Sequence, residues 1–362
     1  MEGKLAAVST EQVLRALARV QEPELRKDLV ALNMIRNLNV EGNKVSFTIE
    51  LTTPACPLRS RIEKEAREAV QALPGVSEVV IQMGATVPAD GLTRGLIRRP
   101  IRNAIAVGSG KGGVGKTTVA VNLAVALSGA GARVGLLDAD VYGPNVPTMV
   151  GVRQLPPPDD GRLIPAMAYG VKVMSIAFLV PPGQPLIWRG PMLHSAIRQF
   201  VGDVEWGELD YLVVDLPPGT GDAQLSLSQT LPLSGGVIVT LPQKVSREDA
   251  RRGLETFRAM QVPVLGVIEN MSYLELPDGS RLDLFGQGGG EQLAREAGVP
   301  FLGSIPIDPA VRAGSDEGVP IVIGKPQSPV AEALIRISED LAAKISVSAI
   351  ERGKVVPIEM VD

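Results

Sequence analysis

The stretch VGSGKGGVGKTTVA, residues 107–120, decides how the rest of the chain is read. Within it, GKGGVGKT (110–117) fits the pattern G-x-x-x-x-G-K-[ST]. A short apolar run, NAIAVGSG, leads into the motif, and KTTVAVNLAVALSGAG, a helical pattern with a glycine stop, leads out of it. Strand, loop and helix in that order are the context the motif requires. The glycines let backbone N–H groups turn inward around phosphate oxygens, and the helix N-terminus adds partial positive charge. Gly110, Lys111, Gly112, Gly113, Val114, Gly115, Lys116, Thr117 and Thr118 are therefore expected to hold a nucleotide. Lys116 would reach the β- and γ-phosphates, and the Thr117 hydroxyl would ligate Mg²⁺. Such a loop needs one lysine. Lys111 is a second, and its purpose is the question the motif leaves open.

Outward from the loop, RVGLLDAD, DYLVVDLPPG, GGVIVTLP, PVLGVIEN and VPFLGSIPID are apolar runs bounded by turns. Helical stretches such as REDARRGLETFRAM and GEQLAREAGV lie between them. Continuous apolar strands alternating with helices predict an α/β domain over residues 103–345. Its fold class is a P-loop, doubly wound, mainly parallel sheet with helices on both faces. Nucleotide hydrolysis also needs acids. Asp215 ends the strand YLVVD, in the Walker B position near Mg²⁺. Asp138 and Asp140 end another strand; two apart in an extended chain, both carboxylates would face the phosphates. The competing reading is that one of them caps the following turn. The glycines of QGGG (287–290) read as a helix-initiating turn or, less simply, as another phosphate loop.

Residues 1–84 predict a small α+β domain. TEQVLRALARV has helical spacing with Thr10 available as its N-cap, KVSFTIEL (44–51) alternates like a half-buried strand, residues 60–73 are helical, and VSEVVIQM is a strand. Residues 85–102, with Pro and Gly breaks and Arg94, Arg98, Arg99 and Arg102, predict a linker, and residues 346–362 a tail. The 362 residues are 45% apolar and 21% charged with a formal net charge of −4, which argues against a general nucleic-acid surface. No run of about 18 apolar residues suggests a membrane span. MEGKLAAVSTEQ has no basic region followed by an apolar run, so no secretory leader is expected, and a cytoplasmic location is the default. With one cysteine, Cys56, and one histidine, His194, zinc sites of the usual spacing are excluded within one chain.

GKGGVGKT, with lysine as its second residue, resembles the deviant Walker A motif of the MinD, ParA and nitrogenase iron protein superfamily. DADVYGPNVP, WRGPMLHSAIRQF, LDYLVVDLPPGTGD, VTLPQ, ENMSY, FGQGGG and GSIPID resemble the Mrp/ApbC iron–sulfur cluster carriers, through nearly all of residues 103–325. QEPEL, KDLVALNMI and LTTPACPL resemble the small domain often fused in front of these carriers. The resemblance implies a homodimer closing face to face around ATP, with Lys111 reaching the partner's phosphates. A cation that arrives only on closure would stabilise charge between the phosphates. It also implies that Asp140 positions the attacking water, that Asp138 and Asp215 lie near Mg²⁺, that Asn270 contacts adenine, and that Pro306 lines the adenine pocket. Arg189 would touch phosphates or the partner, and His194 would be a surface or interface helix residue.

The carriers typically place C-x-x-C after ENMS, so that thiolates of two subunits hold a bridging 4Fe–4S cluster. Here Leu276 and Gly279 stand there, and neither binds iron. Cys56, between a strand and a helix start, is the remaining thiol, either a cluster ligand with thiolate character or a buried structural cysteine. Three functions compete. One is an ATP-hydrolysing iron–sulfur carrier or assembly factor acting on apo client proteins. Another is a cluster-free MinD- or ParA-like dimerisation switch, although VAEALIRISEDLAAKI (330–345) is amphipathic without being basic, which argues against a membrane anchor. The last is a biosynthetic enzyme that phosphorylates a small carboxylate.

Overall fold

The structure, a computed structural model, describes residues 8–91, 101–141, 143–179, 190–219 and 222–353. The chain divides into two compact units, Met1–Pro88 and Ala89–Asp362.

In the first unit, α1 (Thr10–Leu17) buries Val13, Ala16 and Leu17. Its cap is Ser9, not Thr10. Ser9 Oγ accepts the N–H of Gln12, and the Gln12 side chain accepts the N–H of Ser9 in return. The S-x-x-Q spacing builds this reciprocal box, which starts the helix at Thr10. β1 (Ile35–Glu41) and β2 (Lys44–Leu51) form an antiparallel hairpin. β2 buries Val45, Phe47, Ile49 and Leu51, as its alternation predicts. α2 (Arg59–Gln71) buries Ile62, Ala66 and Val70, four apart on one stripe, and carries the chain across to β3 (Glu78–Ala85), parallel to β2. Each such large apolar side chain removed from water stabilises the unit by about 1.5–3 kcal/mol.

The second unit starts with β4 (Ile101–Ser109), so Ile101 and Arg102 are strand rather than linker. The linker residues 92–100 lie outside the described residues. After β4 come α3 (Lys116–Gly129), β5 (Val134–Asp138), the short α4 (Val146–Met149), β6 (Ala166–Ala168) and β7 (Val171–Ser175). Then follow α5 (Gly190–Gly202), β8 (Leu209–Asp215), α6 (Asp222–Thr230), β9 (Gly235–Thr240), α7 (Lys244–Ala259) and β10 (Val264–Glu269). A small hairpin, β11 (Leu274–Glu275) and β12 (Arg281–Leu282), precedes α8 (Gly289–Ala297), β13 (Phe301–Ser304), α9 (Pro309–Glu317), α10 (Ile321–Gly324) and α11 (Pro329–Gly353). α11 runs past residue 345, because Ser346 and Ala349 continue its buried face; residues 354–362 lie outside the described residues.

The main sheet runs β13-β10-β9-β4-β8-β5-β7-β6, parallel throughout except for β6. Ala104 and Ala106 of β4 pack with Phe200 of α5 and Leu254 and Phe257 of α7. Ile105 and Val107, fully buried, point to the opposite face, where α3 and α11 pack together. α3 is apolar all round because it is covered all round. β5, β7 and β8 lie on one side of β4, and β9, β10 and β13 on the other, so the winding reverses at β4. In such sheets ligands bind beyond the carboxyl ends of the strands at that reversal.

Candidate functional site

The phosphate loop occupies that position. It leaves β4 after Ser109 and enters α3 at Lys116. Gly113 and Gly115 have φ of 79° and 80°, a left-handed geometry that favours glycine. A Cβ on Gly115 would lie 2.2 Å from Nδ2 of Asn270. The Asn270 amide donates to the Val114 carbonyl at 2.8 Å, so two segments far apart in the chain close on each other.

A cavity of about 790 Å³ opens beside the loop, within the 300–1,000 Å³ usual for ligand sites. Lys111, Gly112, Gly113, Gly115, Lys116, Thr117 and Thr118 line one end. Asp140, Thr148 and Met149 form one wall, and Asn270, Met271, Pro306, Val311 and Arg312 another. Asn270 and Pro306 thus line the same cavity as the phosphate loop. Gly110 and Val114 do not line the cavity. A Cβ on Gly110 would lie 2.0 Å from the Asp249 carbonyl carbon, so this glycine serves the close approach of α7. The Val114 side chain is buried, and its carbonyl receives Asn270.

Lys116 Nζ lies 2.7 Å from Asp215 Oδ1, 3.4 Å from Asp140 Oδ2 and 3.3 Å from Thr117 Oγ1. Thr117 donates to the other Asp215 oxygen at 2.7 Å. Asp138 and Asp140 both lie beside Lys116 and Asp215, but of the two only Asp140 lines the cavity. The strand ends at Asp138, whose Oδ2 accepts from Ser175 Oγ at 2.8 Å and from the Val146 N–H at 3.3 Å, while Oδ1 accepts the N–H of Asp140 at 3.2 Å. Asp138 therefore organises the following loop, as the turn-capping reading had it. Asp140 reaches the cavity and Lys116; Asp138 and Asp215 stand behind its wall. Burial, and then the neighbouring charge of Asp215, pushes the Asp138 carboxyl up to about 8. Burial also raises Asp215, against the Lys116 ammonium. The oxygen set of Thr117, Asp215 and Asp138 suits a hard cation such as Mg²⁺.

Lys111 lines the cavity, and its ammonium makes no ion pair among the described residues. Its carbonyl accepts from Ser109 Oγ at 2.9 Å. QGGG opens α8, with Gly288 as N-cap, so the helix-initiating reading is the one the backbone adopts. Leu276 and Gly279 close the β11–β12 turn through 2.8 and 2.9 Å backbone bonds. Cys56 is half-buried against the core of the first unit. Among the described residues, no three His, Cys, Asp or Glu side chains converge on a metal position. Arg189 and the side chain of His194 lie outside the described residues. The walls from α4 and α9 were not foreseen. Their residues carry no motif and meet only through tertiary packing.

Residues 100–342 match the family described as NUBPL iron-transfer P-loop NTPase, and residues 10–82 match the family described as iron-sulfur cluster assembly protein. The chain belongs to the iron-transfer P-loop NTPases. Relatives of this P-loop NTPase include the "iron-sulfur cluster carrier protein" of Synechocystis, 52% identical over 95% of this chain and 99% of its own length. The protein of the same name from Deinococcus radiodurans is 51% identical over 93% and 96%. The chloroplastic "Fe-S cluster assembly factor HCF101" of Arabidopsis thaliana is 45% identical over 90% of this chain, which spans 62% of that protein. A solved nucleotide-binding protein from Archaeoglobus fulgidus, in complex with ADP, is 41% identical with a TM-score of 0.54, over 62% of this chain and 87% of its own. No described helix is long and apolar enough to cross a membrane.

Proposed function

We propose that the chain is a cytoplasmic, homodimeric ATPase that takes up iron–sulfur clusters and delivers them to apoproteins. The observation that carries the nucleotide half is the cavity itself. It joins the phosphate loop to Asn270 and Pro306, and a similar protein has been solved with ADP. Names of relatives matched over nearly the whole chain support the cluster half.

Backbone N–H groups of the loop receive the phosphates, and Asn270 and Pro306 flank the base. Lys116, held by Asp215, exchanges that carboxylate for phosphate oxygens. Thr117, Asp215 and Asp138 would hold Mg²⁺, which supplies positive charge against the phosphates. Asp140, whose carboxylate lines the cavity, orients the attacking water. Lys111, which lines the cavity and has no ion partner among the described residues, supplies the partner copy's site with a cation on closure.

The cluster is cargo. A lone cysteine per chain cannot rebuild the C-x-x-C bridge. Cys56 of two copies supplies two thiolates, and client or small-molecule ligands complete the set. Absence of C-x-x-C is also the observation that favours a cluster-free dimerisation switch. The test is ATP titration together with iron and sulfide per chain after anaerobic reconstitution. Bound ATP without any cluster leaves the switch; no bound ATP removes both readings.

A further inference from the structure

Glu269 ends β10 and is buried, 2% exposed. Its Oε2 accepts the Gly290 N–H at 2.6 Å, from 21 residues away. α8 begins after Gly288, an N-cap at φ 70° with no side chain to offer the helix. Glu269 supplies the capping carboxylate that residue 288 lacks, where a helix N-terminus favours negative charge. The glycine run permits the approach. A Cβ on Gly290 would lie 2.8 Å from Glu269 Cβ, and one on Gly289 would lie 1.9 Å from the Pro242 carbonyl oxygen.

Past Glu269 the chain forms the cavity wall. Asn270 bonds Val114, and Met271 has φ 53°, a conformation a non-glycine residue keeps only when its neighbours hold it. The Glu269 carbonyl accepts the Ile305 N–H at 2.8 Å and the Ser272 hydroxyl at 3.0 Å, and the Ser272 N–H returns to the Ile305 carbonyl at 2.9 Å. Its side chain is the tie between this strap and α8. Besides the Asn270–Val114 bond, the phosphate loop is held by β4, by α3 and by the seat of Gly110 on α7, none of which depends on Glu269.

We propose that Glu269 is a positioning residue for the nucleotide base: its carboxylate, fixed on the N-terminus of α8, holds Asn270 and Met271 in the cavity wall and sets affinity for the base without acting on the phosphates. The inference rests on reading the cavity as an ATP site. The test compares ATP with inorganic tripolyphosphate in the full chain. Wild type is expected to bind ATP the more tightly. Glu269→Ala is expected to weaken ATP by about tenfold, raise KM and spare kcat at saturation, with tripolyphosphate affinity unchanged. Glu269→Gln, which keeps an acceptor, restores ATP affinity. If Glu269→Ala does not fold, Glu269→Asp, one methylene short of Gly290, carries the same expectation. Equal losses for both ligands, or no loss for ATP, overturn the proposal while leaving the ATP site standing. A wild type that binds neither ligand overturns the site and this inference with it.

Discussion

Lys116 Nζ and Asp215 Oδ1 meet at 2.7 Å with side chains 5% and 0% exposed, a buried ion pair at the junction of the phosphate loop and the central strand β8. Withdrawing the cation leaves Asp215 uncompensated beside Asp138 and Asp140. Breaking one side of such a pair costs about 3–5 kcal/mol. Lys116→Met is therefore expected to abolish nucleotide binding and to lower the Tm at neutral pH. Adding Asp215→Asn should recover most of the Tm and none of the binding. Thermal unfolding and nucleotide titration on both variants check this; a double variant as unstable as the single one contradicts it.

Asp138 makes stability depend on pH in an unusual direction. Its carboxyl is pushed up to about 8 in the fold, by burial and then by Asp215, whereas the unfolded chain ionises it near 4. Between those values the folded state binds more protons than the unfolded state. The contribution is therefore favourable at low pH and is lost as pH rises from about 4 to about 8. Without nucleotide and in chelator, Asp138→Asn should lose less Tm than wild type between about pH 5 and pH 8. Asp215, shifted in the same direction, keeps part of the slope in both proteins. Parallel curves would show that Asp138 is an ordinary acid.

Lys111 faces the cavity and has no ion pair of its own among the described residues. Lys111→Ala is expected to keep ATP affinity within a few fold. It should lose hydrolysis by at least about a hundredfold, as removal of a cation acting in trans does, together with ATP-induced dimerisation. Binding, turnover and sedimentation separate these effects. A monomeric Lys111→Ala that turns over at the wild-type rate contradicts the trans role.

The nucleotide loop and the α/β fold were legible because their signals are local. GKGGVGKT needs only the strand before it and the helix after it, and buried parallel strands announce themselves as apolar runs. What was not legible depended on partners elsewhere in the chain. Asp138 is fixed beside Lys116 and Asp215 by Ser175 and by the Val146 N–H, partners that no local spacing announces. Gly110 leaves room for the Asp249 backbone of α7, a close approach its own motif does not announce. Glu269 and Gly290 sit in separate motifs, and no spacing rule joins them. The Ser9 cap was missed by one residue although its S-x-x-Q box lies in plain sequence, because Thr10 is as good a cap by residue type.

The measurement that bears most directly on the account is anaerobic cluster transfer. The chain is loaded with iron and sulfide, then mixed with an apo iron–sulfur acceptor with and without MgATP, for wild type and Cys56→Ser. Wild type is expected to show a thiolate-to-iron absorption that moves to the acceptor faster with ATP, and Cys56→Ser neither to load nor to transfer. A Cys56→Ser protein that loads and transfers as well as wild type, or a wild type that takes up no iron or sulfide, would contradict it.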